Sequence, residues 1–387
     1  MLPIMYNLKS LTTRKGTAIA TIAGVALVSA VLAASLMLAA GAEKTVASSG
    51  RDDVAVVLRR GSDSELSSSI DVEALGTIRS TPGISAPQGR PLVAAELVVV
   101  LAMPKSGGDG FSNVVARGVD EISLAIRPNV HLVRGRMPAP GSEEALVGQR
   151  ILGRFEGLSE GQTLELRPQR TVRIVGVMAA DGDAVESEVW IPRSTLQGAF
   201  GRGASVSSVR VRLEDPDRFT AFAHTLESDK RLTVHAAREP DFLEAQSENL
   251  ALFIRVMGTV IAVLFSVGAM IGATITMHGA VAYRRREIGT LRALGFSRWT
   301  ILAGFLFEAI VLTATGGAVG AILALGLSTI EISMVNYATW SELVFSFTPT
   351  PTIILTSVLF AAVVGMVGGF IPALRAAFTS PLAAIRS

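Results

Sequence analysis

The 387-residue sequence contains no cysteine. Disulfides, thiol nucleophiles and thiolate metal sites are therefore excluded from the chain. The sequence has no G-x-x-x-x-G-K-S/T motif, so these residues provide no P-loop for nucleotide phosphates, and no Gly-rich strand-to-helix turn presents a serine. Its four histidines form no H-E-x-x-H pair and are His131, His224, His235 and His278. The sequence therefore predicts a chain without a catalytic centre or a metal site.

Charged residues are also scarce, at 18% against 49% hydrophobic residues, and the hydrophobic residues are grouped in blocks. Four blocks exceed the roughly 20 apolar residues that a membrane-spanning helix needs. They predict spans at 17–42, 248–278, 300–328 and 352–373. A basic start and the Ala40-Gly41-Ala42 sequence also fit a cleaved signal peptide. We favour a retained span, because the first block is much longer than the usual apolar core of about 7–15 residues.

Residues 43–247 have the composition of a soluble domain, with short apolar runs separated by turn signals such as Pro82-Gly83. Several runs predict strands, and helical stretches occur near both ends of the block, so we expect an α+β fold. Within Val206–Leu213, apolar residues alternate with Ser208, Arg210 and Arg212, which predicts one buried face and one wet face. Leu97–Ala102 is apolar at every position, which predicts a core strand covered on both faces.

The cationic segments predict the topology. Residues 1–16 are typical of an amphipathic helix at the inner membrane interface. The linker 279–299 is rich in arginine, and the tail 374–387 has two arginines and no acidic residue, whereas the loop 329–351 has no lysine or arginine. Because positive loops remain inside, both termini are expected in the cytoplasm, with 43–247 and 329–351 outside.

The segment Tyr283–Arg298 is predicted to form an amphipathic cytoplasmic helix. Ile288, Leu291 and Leu294 fall on one side of that helix. Arg285, Gly289, Arg292 and Ala293 fall on another side. The apolar side could dock into a groove of a partner protein, although the arginines alone would also satisfy the positive-inside rule.

Glu308 lies within the third predicted span, where a carboxylate costs several kcal/mol unless it is paired or protonated. One interpretation is a proton or substrate site. The favoured interpretation is an interhelical or interfacial hydrogen bond that keeps the residue satisfied.

The segment Tyr283–Arg298 and the residues after it carry three motifs in order. They are Arg286-Glu287-Ile288-Gly289 with Leu291-Arg292-Ala293-Leu294-Gly295, then Phe305-Leu306-Phe307-Glu308-Ala309 with Gly316-Gly317-Ala318-Val319-Gly320, and finally Pro372-Ala373, Arg375-Ala376-Ala377 and Pro381-Leu382-Ala383-Ala384-Ile385-Arg386. Together they resemble the MacB/FtsX/LolC-type permeases, also called type VII ABC transporters. The resemblance implies an α-helical membrane protein with four transmembrane helices and a large extracytoplasmic α+β domain, in which a porter-like lobe carries an inserted β-rich lobe. It also implies that the ATPase-coupling residues are Arg285, Arg286, Glu287, Ile288, Gly289, Leu291, Arg292, Ala293, Leu294 and Gly295.

The same resemblance implies a non-catalytic permease subunit in a bacterial cytoplasmic (inner) membrane. Its expected partners are an ABC ATPase dimer, a second identical or related permease chain, membrane lipids, and a periplasmic adaptor or substrate-accepting protein. No nucleic acid is expected. ATP and Mg²⁺ would be bound by the partner ATPase, and no cofactor by this chain.

Within this family the work would be export or extraction of a lipoprotein, lipid, peptide or drug, or FtsX-like control of cell-wall hydrolases. The large two-lobed domain favours export or extraction. A membrane-anchored receptor or scaffold is the alternative from another class. An adjacent gene with a P-loop would support the permease, whereas an adjacent kinase gene would support the receptor.

Overall fold

The computed structural model describes residues 15–47, 50–108, 110–336 and 339–379. They form two compact units. One is helical and takes in the residues up to Ala40, Leu252–Ile330 and those from Ser346 onward. The other is an α+β domain made of Gly41–Ala251 and Glu331–Phe345. The domain therefore includes a segment from the predicted outer loop 329–351 as well as the predicted soluble block.

Four helices are long and apolar enough to cross a membrane, and each contains one predicted span or most of it. The third span ends in a 3-10 turn, Gly326–Thr329. The predicted interfacial helix 1–16 lies outside the described residues except for its last two, which begin α1. The described α-helices are α1 (Lys15–Ala47), α2 (Ala74–Arg79), α3 (Glu121–Ile126), α4 (Arg193–Phe200), α5 (Phe219–Ser228), α6 (Glu239–Tyr283), α7 (Arg285–Ala293), α8 (Arg298–Leu325) and α9 (Pro351–Phe378). The membrane-type helices are α1, α6, α8 and α9, and the shortest have 28 residues, or about 42 Å, against a hydrocarbon core of about 30 Å.

Glycines allow close approach of the helices within the helical unit. A Cβ added at Gly320 of α8 would overlap the carbonyl oxygen of Ala26 in α1. A Cβ added at Gly365 of α9 would overlap the side chain of Thr313 in α8. Small residues at such contacts are the usual basis of close helix packing in membranes.

Gly320→Ala is therefore expected to destabilise the helical unit by about 1–3 kcal/mol, the usual cost of overpacking a close contact. Thermal unfolding of the detergent-solubilised chain measures the effect. Gly268→Ala is the matched control, because a Cβ at Gly268 has no atom of the described chain within 4 Å. Equal unfolding temperatures for the two variants would contradict the assigned role of Gly320.

The strands of the α+β domain form one large mixed sheet and two small pairs. The described strands are β1 (Val54–Arg59), β2 (Ile70–Asp71), β3 (Val93–Pro104), β4 (Phe111–Val119), β5 (His131–Gly135), β6 (Glu144–Gly148), β7 (Thr163–Arg167), β8 (Arg170–Ala179), β9 (Glu188–Pro192), β10 (Ser205–Val206), β11 (Ser208–Arg212), β12 (Val234–Arg238), β13 (Glu331–Asn336) and β14 (Ser341–Ser346). The large sheet has the order β12-β1-β11-β3-β4-β9-β6-β8-β5, and β7 also pairs with β8. Its pairs are antiparallel except for β4–β9 and β6–β8.

Strand β3 belongs to two lobes in turn. Its first half pairs with β11, and its second half, from Leu97 onward, pairs with β4. The first lobe has a core that includes Ile78 and Phe222, and the second has a separate core that includes Phe155 and Leu158. Because the second lobe interrupts the first in sequence, the predicted α+β domain with an inserted lobe is confirmed. The apolar run that starts at Leu97 is core as predicted, apart from the half-buried Val100 and the exposed Ala102.

Candidate functional site

The segment Tyr283–Arg298, the predicted coupling segment, contains the short helix α7 between two membrane-type helices. Only Arg284, with φ −94° and ψ 16°, separates it from α6. At its other end, Gly295 adopts φ +90°, a conformation that suits glycine at a helix carboxyl end. Ser297 then caps α8, because its Oγ accepts the Thr300 N–H at 3.1 Å. The local sequence thus specifies a helix, a turn and a new helix.

Ile288 fixes α7 to the helical unit. Its side chain is 2% exposed. It packs in a cluster with residues of three other helices, among them Met277 of α6, Phe305 of α8 and Ala376 of α9. Gly289 beside it is also buried. A helix of nine residues is marginal alone, so this packing holds it in place.

The predicted apolar ridge is therefore wrong at Ile288, because the chain's own helices already cover that side chain. Leu294 is 72% exposed, and Leu291 is half-buried. Arg292 is also half-buried, and its Nη1 donates to the Phe296 carbonyl at 3.0 Å, which stabilises the turn. The remaining predicted coupling residues are exposed, and they are Arg285, Arg286, Glu287, Ala293 and Gly295. The surface that α7 leaves exposed is thus mainly cationic, with Leu294 as its large apolar side chain.

Glu308 of α8 forms a buried ion pair with Arg284. Nη1 of Arg284 lies 3.0 Å from Oε2 of Glu308, and the two residues are 8% and 4% exposed. Glu287 of α7 is a more distant second partner, with its Oε2 3.9 Å from Nε of Arg284. The pair joins the α6–α7 junction to α8. The sequence predicts a paired Glu308 but does not predict Arg284 as its partner, for which the one signal is an arginine at the start of the segment Tyr283–Arg298.

A second charged cluster is buried in the α+β domain, where the two lobes meet. Arg117 of β4 lies 2.9 Å from Glu65, 2.9 Å from Glu96 of β3 and 2.8 Å from Glu188 of β9. Arg127 also pairs with Glu96. Burial would raise the pKa of Glu96, but these arginines hold it well below its usual value. The cluster therefore stays ionised and joins strands of both lobes.

The predicted solvent-exposed face of strand β11 is wrong, because most of it is buried. Ser208 is fully buried and Arg210 is 4% exposed. Arg210 pairs with Glu239 at the start of α6, and Ser208 donates to Glu65 at 2.5 Å. Burial would raise the pKa of Glu65, but Arg117 and Arg210 lower it to about 2. The face is covered because these distant residues fold over it.

An open groove of about 520 Å³ lies in the second lobe. Its lining is largely apolar and includes Val119, Ile122, Met137, Leu146 and Trp190. Asp120 and Arg193 lie at the same groove, 3.9 Å apart. The volume is in the usual range for small-molecule sites, about 300–1,000 Å³, so the groove could hold an apolar group.

Comparison with known proteins covers both units. A family model described as the MacB-like periplasmic core domain matches residues 17–228, and one described as the FtsX-like permease C-terminal matches residues 259–381. The macrolide export ATP-binding/permease protein MacB of Burkholderia thailandensis is 28% identical over 223 residues, covering 55% of this chain and 33% of that protein. The uncharacterized ABC transporter permease YknZ of Bacillus subtilis is 27% identical over 225 residues, covering 56% of this chain and 54% of that protein. The chain thus spans between a third and about half of these relatives.

Among solved structures, the periplasmic region of MacB from Actinobacillus actinomycetemcomitans aligns with a TM-score of 0.37 and 14% identity, covering 51% of this chain and 93% of that one. The two family models carry the assignment, because the first alone matches more than half of the chain. The chain belongs to the MacB/FtsX-like family of ABC transporter permeases.

Proposed function

We propose that this chain is the mechanotransmission subunit of an ABC system that exports or extracts a substrate. A partner ATPase dimer would bind α7, and its ATP-driven closure would move the helices and the α+β domain. Two permease chains, identical or related, would act with the two ATPase chains. ATP and Mg²⁺ would be held by the ATPase, because the 387 residues contain no P-loop motif.

The observation that carries the proposal is the two-sided character of α7. Its inner side is fixed by Ile288 to a cluster with residues of α6, α8 and α9. Its opposite side is exposed and carries arginines and Leu294. A force that a partner applies to the exposed side of α7 would therefore be transmitted to three long helices.

The substrate would carry an apolar part, such as a lipid, a lipoprotein, a peptide or a drug. The groove in the second lobe supports this class, because its lining is largely apolar. The relative from Burkholderia thailandensis is named for macrolide export. A periplasmic adaptor or substrate-accepting protein would take the substrate onward.

The combination of Leu291→Ala and Leu294→Ala is expected to release the ATPase. Each truncation would remove roughly 1–3 kcal/mol of interface stability if the side chain fills a groove in the partner. The test is co-purification with the P-loop protein encoded beside the permease gene, together with the ATP hydrolysis rate of the complex. Fold retention is checked by thermal unfolding, which should change little because Leu294 is exposed and Leu291 is only half-buried.

Leu323→Ala is the matched control, because Leu323 of α8 is also exposed, at 66%, but lies outside the coupling segment. This variant should retain its ATPase. If the double variant in α7 also brings down a normal amount of ATPase, α7 is not the docking element and the proposed function fails.

Topology is expected to follow the charges, in the bacterial inner membrane with both termini in the cytoplasm. Reporter fusions near Gly203 and Trp340 should report an outside location, and a fusion near Gly289 an inside location. The cationic linker supports this order, because positive loops are retained on the cytoplasmic side. An inside signal at Gly203 would overturn the orientation and the proposed mechanism.

A further inference from the structure

The segment between α8 and α9 packs as part of the α+β domain. It forms the hairpin β13–β14, and the exposed fractions of Val344 and Phe345 are both 0%. Val344 belongs to the core cluster of the second lobe, which also contains Leu97 and Phe155. A two-stranded hairpin is marginally stable alone, so its order depends on this packing.

Arg150 and Ser187 hold both polar backbone groups of Val344. The Val344 carbonyl accepts a hydrogen bond from Nη1 of Arg150 at 2.7 Å, and its N–H donates to Oγ of Ser187 at 3.2 Å. A buried backbone group needs such partners, because leaving one unsatisfied costs about 1–3 kcal/mol. The two side chains therefore replace the strand that would normally pair at this position.

Arg150 also joins the hairpin to two other segments. Its Nη1 lies 3.2 Å from the Gly182 carbonyl oxygen and 3.4 Å from Oγ1 of Thr45, near the end of α1. Its Nε lies 3.2 Å from Glu186, and its side chain is 13% exposed. Glu186 orients the guanidinium, which thus connects α1, the turn after β8 and the hairpin.

A second set of contacts holds the other part of the hairpin. Nδ2 of Asn113 donates to the Trp340 carbonyl at 2.7 Å, and Lys105 lies 3.1 Å from Glu342. Burial would raise the pKa of Glu342, but hydrogen bonds from Ser333, Ser112 and Lys105 lower it overall. The hairpin is therefore fixed to the second lobe at two separate places.

The connection from the hairpin to α9 is short. Only Phe347 to Thr350 separate β14 from Pro351, the first residue of α9. Proline at 349 and at 351 restricts φ and stiffens this connection. A displacement of α9 would therefore be transmitted to the hairpin through a short and stiff connection.

We propose that the hairpin β13–β14 is a third mechanical attachment of the domain, besides the two chain connections through α1 and α6, and that Arg150 is its positioning residue. The proposal rests on the proposed function, since it concerns how ATP-driven helix movement reaches the domain. Detachment of the hairpin would reduce the domain movement that each cycle of ATP hydrolysis produces, without stopping hydrolysis.

Because the chain has no cysteine, a single introduced cysteine can be labelled specifically. Gly203→Cys introduces a single spin-label site at an exposed position where an added Cβ meets no atom within 4 Å. In the complex of two permease chains with the adjacent-gene ATPase, the distance between the two labels is measured without nucleotide and with ATP. ATP is expected to shift that distance in the otherwise unchanged chain.

In the same background, Arg150→Ala should reduce the ATP-induced shift at least twofold and leave the hydrolysis rate within about twofold. It should also speed hydrogen exchange of the Val344 amide by about tenfold, since loss of the bond to the Val344 carbonyl makes local opening of the hairpin easier. Arg150→Lys should restore part of the shift, because lysine keeps one charged donor. Arg154→Ala is the control, because the Arg154 side chain makes none of these contacts with the hairpin.

A full ATP-induced shift in Arg150→Ala, with faster exchange at Val344, would overturn the proposal. If Arg150→Ala does not fold, Ser187→Ala combined with Asn113→Ala loosens the same hairpin and must reduce the shift. Absence of any shift in the Gly203→Cys chain would contradict the proposed function itself. Hydrogen exchange would in that case still show whether Arg150 anchors the hairpin.

Discussion

Replacing Arg117 by methionine is expected to remove much of the stability of the α+β domain. The guanidinium of Arg117 contacts Glu65, Glu96 and Glu188 at 2.8–2.9 Å, and the residue is 5% exposed. Its loss would leave three buried carboxylates with less compensation. Breaking a buried ionic contact by removing one partner costs about 3–5 kcal/mol, against a total domain stability of about 5–15 kcal/mol.

The measurement is chemical unfolding of the detergent-solubilised chain, followed by protection of the β3 and β4 amides from hydrogen exchange. Arg136→Met is the control, because Arg136 pairs with Glu144 while its side chain is 59% exposed, and exposed pairs contribute little. If the two variants unfold at the same denaturant concentration, the buried cluster does not hold the lobes together.

A partial rescue would identify the cause of the loss. Glu188→Gln together with Arg117→Met removes one of the carboxylates left behind and keeps a hydrogen-bonding group beside Nε1 of Trp190. The double variant should be more stable than Arg117→Met alone, because less uncompensated charge is buried. A purely steric role for Arg117 predicts no such recovery.

The membrane part of the fold could be predicted because its signal is local. Four long apolar blocks correspond to α1, α6, α8 and α9. Strand β3 could be predicted for the same reason, since its apolar residues from Leu97 onward are contiguous. The sequence does not predict strand β4, because Asn113, Arg117 and Gly118 interrupt its apolar pattern.

Of the charged residues described above, the sequence predicts only those that stand out by composition. Glu308 stands out in the sequence as an acid in an apolar block, but its partner Arg284 lies 24 residues away, at the junction of α6 and α7. Arg210 was placed in solvent because alternation with Val209 and Val211 gives a surface pattern. Its burial depends on Glu239 and Glu65, and no periodic pattern records such distant contacts.

The hairpin β13–β14 also depends on contacts that the sequence alone does not predict. The loop 329–351 was predicted from its lack of basic residues, and its strands were not. Leu343, Val344 and Phe345 form a short apolar run that could have indicated a buried strand. The fact that Arg150 and Ser187 hold this run is a tertiary contact that the sequence alone does not contain.

Glu308→Leu is expected to destabilise the helical unit by about 3–5 kcal/mol, because Arg284 would lose its closest carboxylate while remaining buried. Glu308→Gln should cost less, since an amide oxygen can still accept a hydrogen bond from the guanidinium. Arg284→Met combined with Glu308→Leu should recover part of the loss, because neither charge is then buried. Thermal unfolding in detergent of the unchanged chain, Arg284→Met, Glu308→Leu and their combination gives the coupling energy of the pair, which should exceed about 1 kcal/mol.

The functional consequence should follow the same order, because the pair fixes the junction from which α7 extends. Glu308→Gln should retain most ATPase binding and hydrolysis, whereas Glu308→Leu should weaken assembly. Glu287→Gln is the control, since its carboxylate is 3.9 Å from Arg284 and half-exposed, so its loss should change stability little. Strictly additive stability changes would show that Arg284 and Glu308 do not act as a pair. Equal and complete loss of activity in Glu308→Gln and Glu308→Leu, with assembly intact, would instead assign Glu308 to proton or substrate chemistry, because only the titratable carboxyl would then separate both variants from the active chain.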